Sequence, residues 1–348
     1  MQKTNKKTPI SLFMGPKIPI NDQLITYTKK FNIKRITIPV FLDGKTRFTH
    51  SKLPFTGIKI DISNSNKMIK QLRNMNCEVF LYIDLLRWSG GNDNNSSIFD
   101  KYPNLLELDT KGSCELPYIG KFASPFNDEV RFILKDLMAI TAMQFPNVSG
   151  FLVKSALPTG TLLGYSETAR LNYLKVKNID PLDISDSNDL KLILDWYYWR
   201  FSEMLITNKL AIQSAQNINP NLKFACIGFA NHYQTPIGVQ ATSLEDWMNW
   251  IRQKIFGEVI LQFPWEKNSD SFNKAYQLIK SSTSNCKIGI LSSINNQKLN
   301  NIPGILKISN NFYIPNNPNA LRLSPIFYID DLNNEIISSI SRTMTDLT

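Results

Sequence analysis

The 348-residue chain has only two histidines and four cysteines, and these shortages exclude whole classes of chemistry. His50 and His232 are too few for a multi-histidine metal centre, and a serine triad could use only one of the two. Cys77, Cys114, Cys226 and Cys286 are scattered without a CxxC pair, which fits neither a disulfide framework nor a zinc site; buried thiols are the expectation. No metal or other cofactor is expected. No apolar run of about 18 residues is present to span a bilayer. The N-terminal MQKTNKKTPISLFMG is basic but lacks the apolar stretch and small-residue cleavage site of a secretory leader, so a cytoplasmic protein with no membrane partner is expected. There is no Gly-rich phosphate fingerprint, heptad or internal repeat, which counts against a nucleotide-binding Rossmann fold.

What is present is a basic chain, 43% hydrophobic, with 39 Lys and Arg against 29 Asp and Glu and a net charge of +10. The lysines are spread along an Asn- and Ile-rich sequence rather than gathered into a basic aromatic stripe, so a basic surface is expected and a nucleic-acid partner is not. The length suits one large core, and α/β barrels reach it as a single domain, here residues 1–348. Oligomeric state has no signature in the sequence.

Short β-branched and aromatic runs alternate with segments of helical period, the pattern of repeated βα units around a parallel sheet. Strands are predicted at residues 10–14, 35–41, 78–86, 148–157, 223–229, 258–263, 287–292 and 304–308. Helices are predicted at 21–31, 64–74, from Asn127 onward, and at 189–217, 243–254, 271–281 and 330–343. The stretch from RWSGGNDNNSS to about Phe126 holds Pro103, Pro117 and Pro125 and reads as a long irregular loop, of the kind that tends to be functional. Eight strands in alternation predict a (β/α)8 TIM-like barrel.

The residues then resemble a known group. Tyr102 to Leu105 stand where glycosyl-hydrolase-like family 10 proteins read HPEWL, SPFNDEVR where they read DPxxPEVR, and SGFLVKSALP where they read DGIHFDDYxYP. Further on, Trp196, Trp199 and Arg200 resemble a WxxWR helix, and NPNLKFACIGF and LEDWMNWI with VILQFPW resemble two later motifs. The resemblance implies a TIM barrel related to glycoside hydrolases and a polysaccharide or glycan as partner. It also exposes a departure. Because side chains alternate along a strand, the inward His and Asp of the family's fourth strand fall at Leu152 and Lys154, and the Asp that opens the helix motif is Ser124.

In such a barrel, chemistry sits at the C-terminal ends of the strands and in the loops after them. Those positions supply Asp43, Asp84, Arg87, Trp88, Lys154, Tyr165, Glu167, Asn231, His232, Gln262, Trp265 and Glu266. Sugar hydrolysis needs two carboxyl groups and aromatic faces for the ring. Asp84 and Glu266, with Glu167 as a further candidate, are the expected catalytic carboxyls; burial of Asp84 at the end of FLYIDLLRW suits a general acid. Glu167 has an alternative role at a helix start. Trp88, Tyr165 and Trp265 are candidate stacking platforms, or else rim packing, and Arg87, Lys154, His232 and Gln262 are candidate substrate-binding groups. Two readings follow: a glycoside hydrolase-like enzyme working through these carboxyls, or a noncatalytic carbohydrate-binding barrel that has lost the acid. Trp196 and Trp199 are expected to pack a helix against the barrel.

Overall fold

The computed structural model describes residues 10–54, 59–90, 98–114, 116, 119–158, 163–185, 189–229, 243–262, 286–294, 324–329, 337, 338, 340 and 341. The strands are β1 (Ile10–Met14), β2 (Ile33–Leu42), β3 (Lys45–Thr46), β4 (Glu78–Asp84), β5 (Arg87–Ser89), β6 (Lys121–Phe122), β7 (Gly150–Lys154), β8 (Lys223–Phe229), β9 (Glu258–Gln262), β10 (Lys287–Ile294) and β11 (Ser324–Ile329). Eight of them, β1, β2, β4, β7, β8, β9, β10 and β11, pair in parallel in that spatial order. Because β1 pairs with both β2 and β11, the sheet closes into a barrel.

The eighth stave differs from the sequence expectation. Residues 304–308 lie outside the described residues, and the strand between β10 and β1 is SPIFYI. Pro325 obscures it, since proline cannot donate to a ladder and argues against a central strand. Pro325 stands opposite Ile290 in the β10 ladder, and the ladder with β1 begins at the following residue, Ile326.

The helices are α1 (Asp22–Phe31), α2 (Ile62–Asn74), α3 (Ile98–Lys101), α4 (Asp128–Gln144), α5 (Glu167–Lys177), α6 (Pro181–Ser185), α7 (Leu190–Ile218) and α8 (Trp247–Arg252). The helix expected at 271–281, and most of that at 330–343, lie outside the described residues. No helix among the described residues is long and apolar enough to cross a membrane.

The SPFNDEVR motif earns its place locally. The Asn127 side chain accepts from the amides of Glu129 at 2.8 Å and Val130 at 3.4 Å, capping two orphan donors at the start of α4. Four residues on, Arg131 donates to the Pro125 carbonyl and the Thr207 hydroxyl and forms a 2.5 Å ion pair with Glu203, tying α4 to α7. At the start of β7, Gly150 lies so close to the Lys223 carbonyl that any Cβ would collide with it.

Two apolar clusters form. The larger lies between the barrel and its helices, and the smaller, built from Phe13, Phe80, Tyr82, Leu152, Ala225, Ile227, Ile260, Leu291 and Ile326, fills the barrel. Since side chains on a strand alternate between faces, this inner set shows which residues point inward. At the N-terminal end the barrel is floored by charge: Arg35 on β2 donates to both oxygens of Glu258 on β9, at 2.6 and 2.8 Å, with its guanidinium 3.7 Å above the Phe80 ring.

The stretch expected to be an irregular loop, residues 87–126, contains α3, a 3-10 turn at Pro103–Leu105 and the antiparallel pair β5 and β6. Of the four thiols, Cys77, Cys226 and Cys286 are buried and all are free. Burial pushes the Cys77 and Cys286 thiols up to about 12.

Candidate functional site

A cavity of about 450 Å³ opens where the strands end. Phe13 and Met14 from β1, Pro39 and Leu42 from β2, Tyr82 from β4, Lys154 from β7, Ile227 from β8, Gln262 from β9, Leu291 from β10 and Tyr328 from β11 all line it, so every stave contributes. Asp43 and Arg87 reach in from the segments just beyond β2 and β4. Its floor is aromatic: the Phe13 ring centroid lies 4.8 Å from that of Tyr82 and 5.4 Å from that of Tyr328. Polar groups sit above this floor for a reason visible in the strands. Tyr82, Leu152 and Ile260 point into the barrel, so Asp84, Lys154 and Gln262, each two residues further on, take the inward direction at the rim.

Asp84 and Lys154 are direct neighbours in the β4–β7 ladder. They form no ion pair of 4.0 Å or less. Asp84 is only 4% exposed and does not line the cavity. Its carboxylate accepts from the Tyr82 hydroxyl at 3.5 Å and from the Arg87 amide at 3.4 Å, both long. Burial raises the Asp84 pKa from its ordinary 3.8, opposed by the charges of Lys154 and Arg87 and by the Arg87 amide, and reinforced by Asp43. The same site drives the Tyr82 phenol well above 10, through burial and then the Asp84 charge. Arg87 is committed elsewhere. Its guanidinium holds Asp43 at 2.5 Å, with the Nε also donating at 2.7 Å.

Two expected residues, Trp88 and Tyr165, are packed rather than open to the cavity, and a third, Glu167, lies at a helix start. Trp88, a candidate stacking platform, is 1% exposed; its ring stacks on Phe99 with centroids 6.1 Å apart, and its Nε1 donates to the Leu85 carbonyl at 2.7 Å. Tyr165 is buried against Trp196, centroids 5.5 Å apart, with the Arg200 guanidinium over its ring. Neither lines the cavity. Glu167 is exposed in the first turn of α5, the place where a carboxylate serves the positive end of a helix. Trp196 and Trp199 stack on one another at 5.1 Å within α7, as helix packing predicts. His232, Trp265 and Glu266 lie outside the described residues, as does Asn231.

The sequence reading passes over a further buried carboxyl. Glu107, 1% exposed, accepts from the amides of Ser166 at 2.8 Å and Leu108 at 3.1 Å and from the Ser166 hydroxyl at 3.3 Å. Ser124, in place of the family's Asp, hydrogen-bonds the Ser166 hydroxyl at 2.9 Å and also reaches Glu107. Burial raises the Glu107 pKa, and the hydrogen bonds from Ser124, Ser166 and Leu108 oppose it. An Asp at position 124 would set two carboxylates in one buried site, so serine there matches Glu107 chemically. Tyr82 was legible in principle, since it precedes Asp84 by two residues on one strand. Glu107 gives no such signal, because its partners come from distant loops. Among the described residues no cluster of His, Cys, Asp and Glu is placed to hold a metal ion.

The sequence profile described as Glycosyl hydrolase-like 10 matches residues 120–313, more than half of the chain. No curated protein matches the sequence. Among solved structures, the glycoside hydrolase domain of PgaB (BpsB) from Bordetella bronchiseptica superposes with a TM-score of 0.67 at 14% identity, covering 97% of this chain and 99% of that one. The α-L-fucosidase isoenzyme 2 from Paenibacillus thiaminolyticus gives 0.63 at 11% identity, over 98% of this chain and 48% of that one. A β-galactosidase from Rahnella sp. R3 gives 0.62 at 12% identity, over 98% and 57%. At these identities the likeness shows the fold, a TIM-type barrel.

Proposed function

Because the chain belongs to the glycosyl hydrolase-like 10 family, we propose that the cavity at the barrel mouth is a carbohydrate site, and that the protein binds a glycan there rather than cleaving it. The observation that carries this reading is the state of the two described carboxyl groups at the mouth. Asp43 faces the cavity but is neutralised by Arg87. Asp84 makes no direct ion pair, but it is only 4% exposed and is not among the residues that line the cavity. Hydrolysis asks for two working carboxyls, one to protonate the leaving oxygen and one to attack or to activate water. Binding asks for less: ring faces, here Phe13, Tyr82 and Tyr328, and a few convergent polar groups, here Gln262 and Lys154.

A second reading, a glycoside hydrolase-like enzyme, rests on a different observation. Burial holds Asp84 toward its protonated form, the state from which a general acid starts. In that reading Asp84 donates the proton, with Glu266 or Glu167 as the second carboxyl.

A glycan panel scored both for binding and for release of new reducing ends separates the two. Binding without turnover, weakened about tenfold or more by Tyr328→Ala or Gln262→Ala, is the expected result. Turnover by the wild type that disappears in Asp84→Asn would establish the enzyme instead, and absence of binding to every glycan would overturn both.

A further inference from the structure

Resting on the carbohydrate reading, we propose that the glycan held at the barrel mouth is anionic, carrying a carboxylate or sulfate group on the sugar that pairs with Lys154. Among the described residues, three charged side chains line the cavity: Asp43, Arg87 and Lys154. Asp43 and Arg87 satisfy one another at 2.5 Å. Among the described residues Lys154 has no ion-pair partner within 4.0 Å; the buried Asp84 acts on it by charge but not by contact, so the ammonium keeps its hydrogen-bonding capacity for a ligand.

Asp84, its neighbour in the ladder, is buried and absent from the cavity lining, and its oxygens accept from the Tyr82 hydroxyl and the Arg87 amide. Position makes the lysine hard to avoid. It ends a five-residue strand whose preceding inward residue, Leu152, is fully buried in the barrel, and the lysine itself lines the cavity.

A neutral sugar seated on the aromatic floor would strip water from the ammonium and give nothing ionic in return, which is costly. An anionic group at the same place compensates it with a charge-assisted hydrogen bond. The surrounding field favours the same class of ligand, since the whole chain carries a net charge of +10. The departure in the β7 motif therefore reads as a change in which sugars are accepted: an acidic position has become basic, and the preferred ligand charge inverts with it.

The test is calorimetric titration of the full chain with three sets of oligosaccharides: uronates (oligogalacturonate and alginate oligomers), sulfated carrageenan oligomers, and neutral galacto- and manno-oligosaccharides. One anionic set is expected to bind at least about tenfold tighter than the neutral set, with the advantage shrinking at high salt, and the set that wins identifies the group as carboxylate or sulfate. Lys154→Met should abolish the preference while Lys154→Arg keeps it, with circular dichroism confirming that both variants fold. Neutral sugars binding as tightly as anionic ones, or a preference that survives Lys154→Met, overturns this inference and leaves the carbohydrate reading standing. Failure of all three sets on folded protein overturns this inference, while the carbohydrate reading falls only if the wider glycan panel fails as well.

Discussion

Replacing Trp88 separates a packing role from a sugar platform, because the two roles move different observables. The indole is 1% exposed, stacked on Phe99 at 6.1 Å, edge-on to Phe41 at 6.3 Å, and its Nε1 donates to the Leu85 carbonyl at 2.7 Å. Truncating a buried aromatic ring to alanine costs about 3–5 kcal/mol, a large part of the ~5–15 kcal/mol that holds a typical protein folded. Trp88→Phe keeps a ring against Phe99 and forfeits mainly the Leu85 hydrogen bond, at about 0.5–1.5 kcal/mol. Urea denaturation followed by far-ultraviolet circular dichroism, which does not depend on tryptophan emission, should therefore rank the variants wild type, Phe, Ala. Glycan affinity measured on the folded Phe variant should stay within about twofold of wild type. An alanine variant within about 1 kcal/mol of wild type in stability, but unable to bind glycan, would refute the packing assignment.

Three further outcomes are expected. Because burial raises the Asp84 pKa above its ordinary 3.8, the folded state holds that proton more tightly than the unfolded chain. Stability from this group is present below 3.8 and is lost as pH rises through the folded value. Asp84→Asn should flatten that slope in denaturation profiles across acidic pH, and an unchanged slope would contradict it. Glu258→Gln leaves the Arg35 guanidinium buried over Phe80 with Glu78 at 4.0 Å as its remaining partner. It should cost about 3–5 kcal/mol in chemical denaturation, with much of this regained in the Arg35→Met, Glu258→Leu double variant; single variants as stable as wild type would show the floor pair to be dispensable. Gly150→Ala should cost about 1–3 kcal/mol, because a Cβ meets the Lys223 carbonyl of the next stave, and a neutral thermal melt would refute it.

The chain's own pattern determined the barrel. Inward alternation on β4, β7 and β9, the capping Asn127 and the apolar period of α4 are local properties, readable because neighbours in sequence share a face or a turn. The same alternation placed Lys154 and Gln262 at the cavity and paired Asp84 with Lys154 across adjacent strands. Where a proline broke the pattern, as in SPIFYI, the strand was missed.

Tertiary structure decided what each rim residue faces. Whether Trp88 opens to the cavity or stacks on Phe99, whether Arg87 is spent on Asp43, and whether Asp84 reaches a ligand all depend on segments far apart in the chain closing over one another. Glu107 is the plainest case, since its environment is assembled from Ser124 and Ser166 on separate loops. Strand period carries direction, which sequence records residue by residue. Burial and charge compensation at the mouth arise from contacts between distant segments, and these exist only once the barrel has closed.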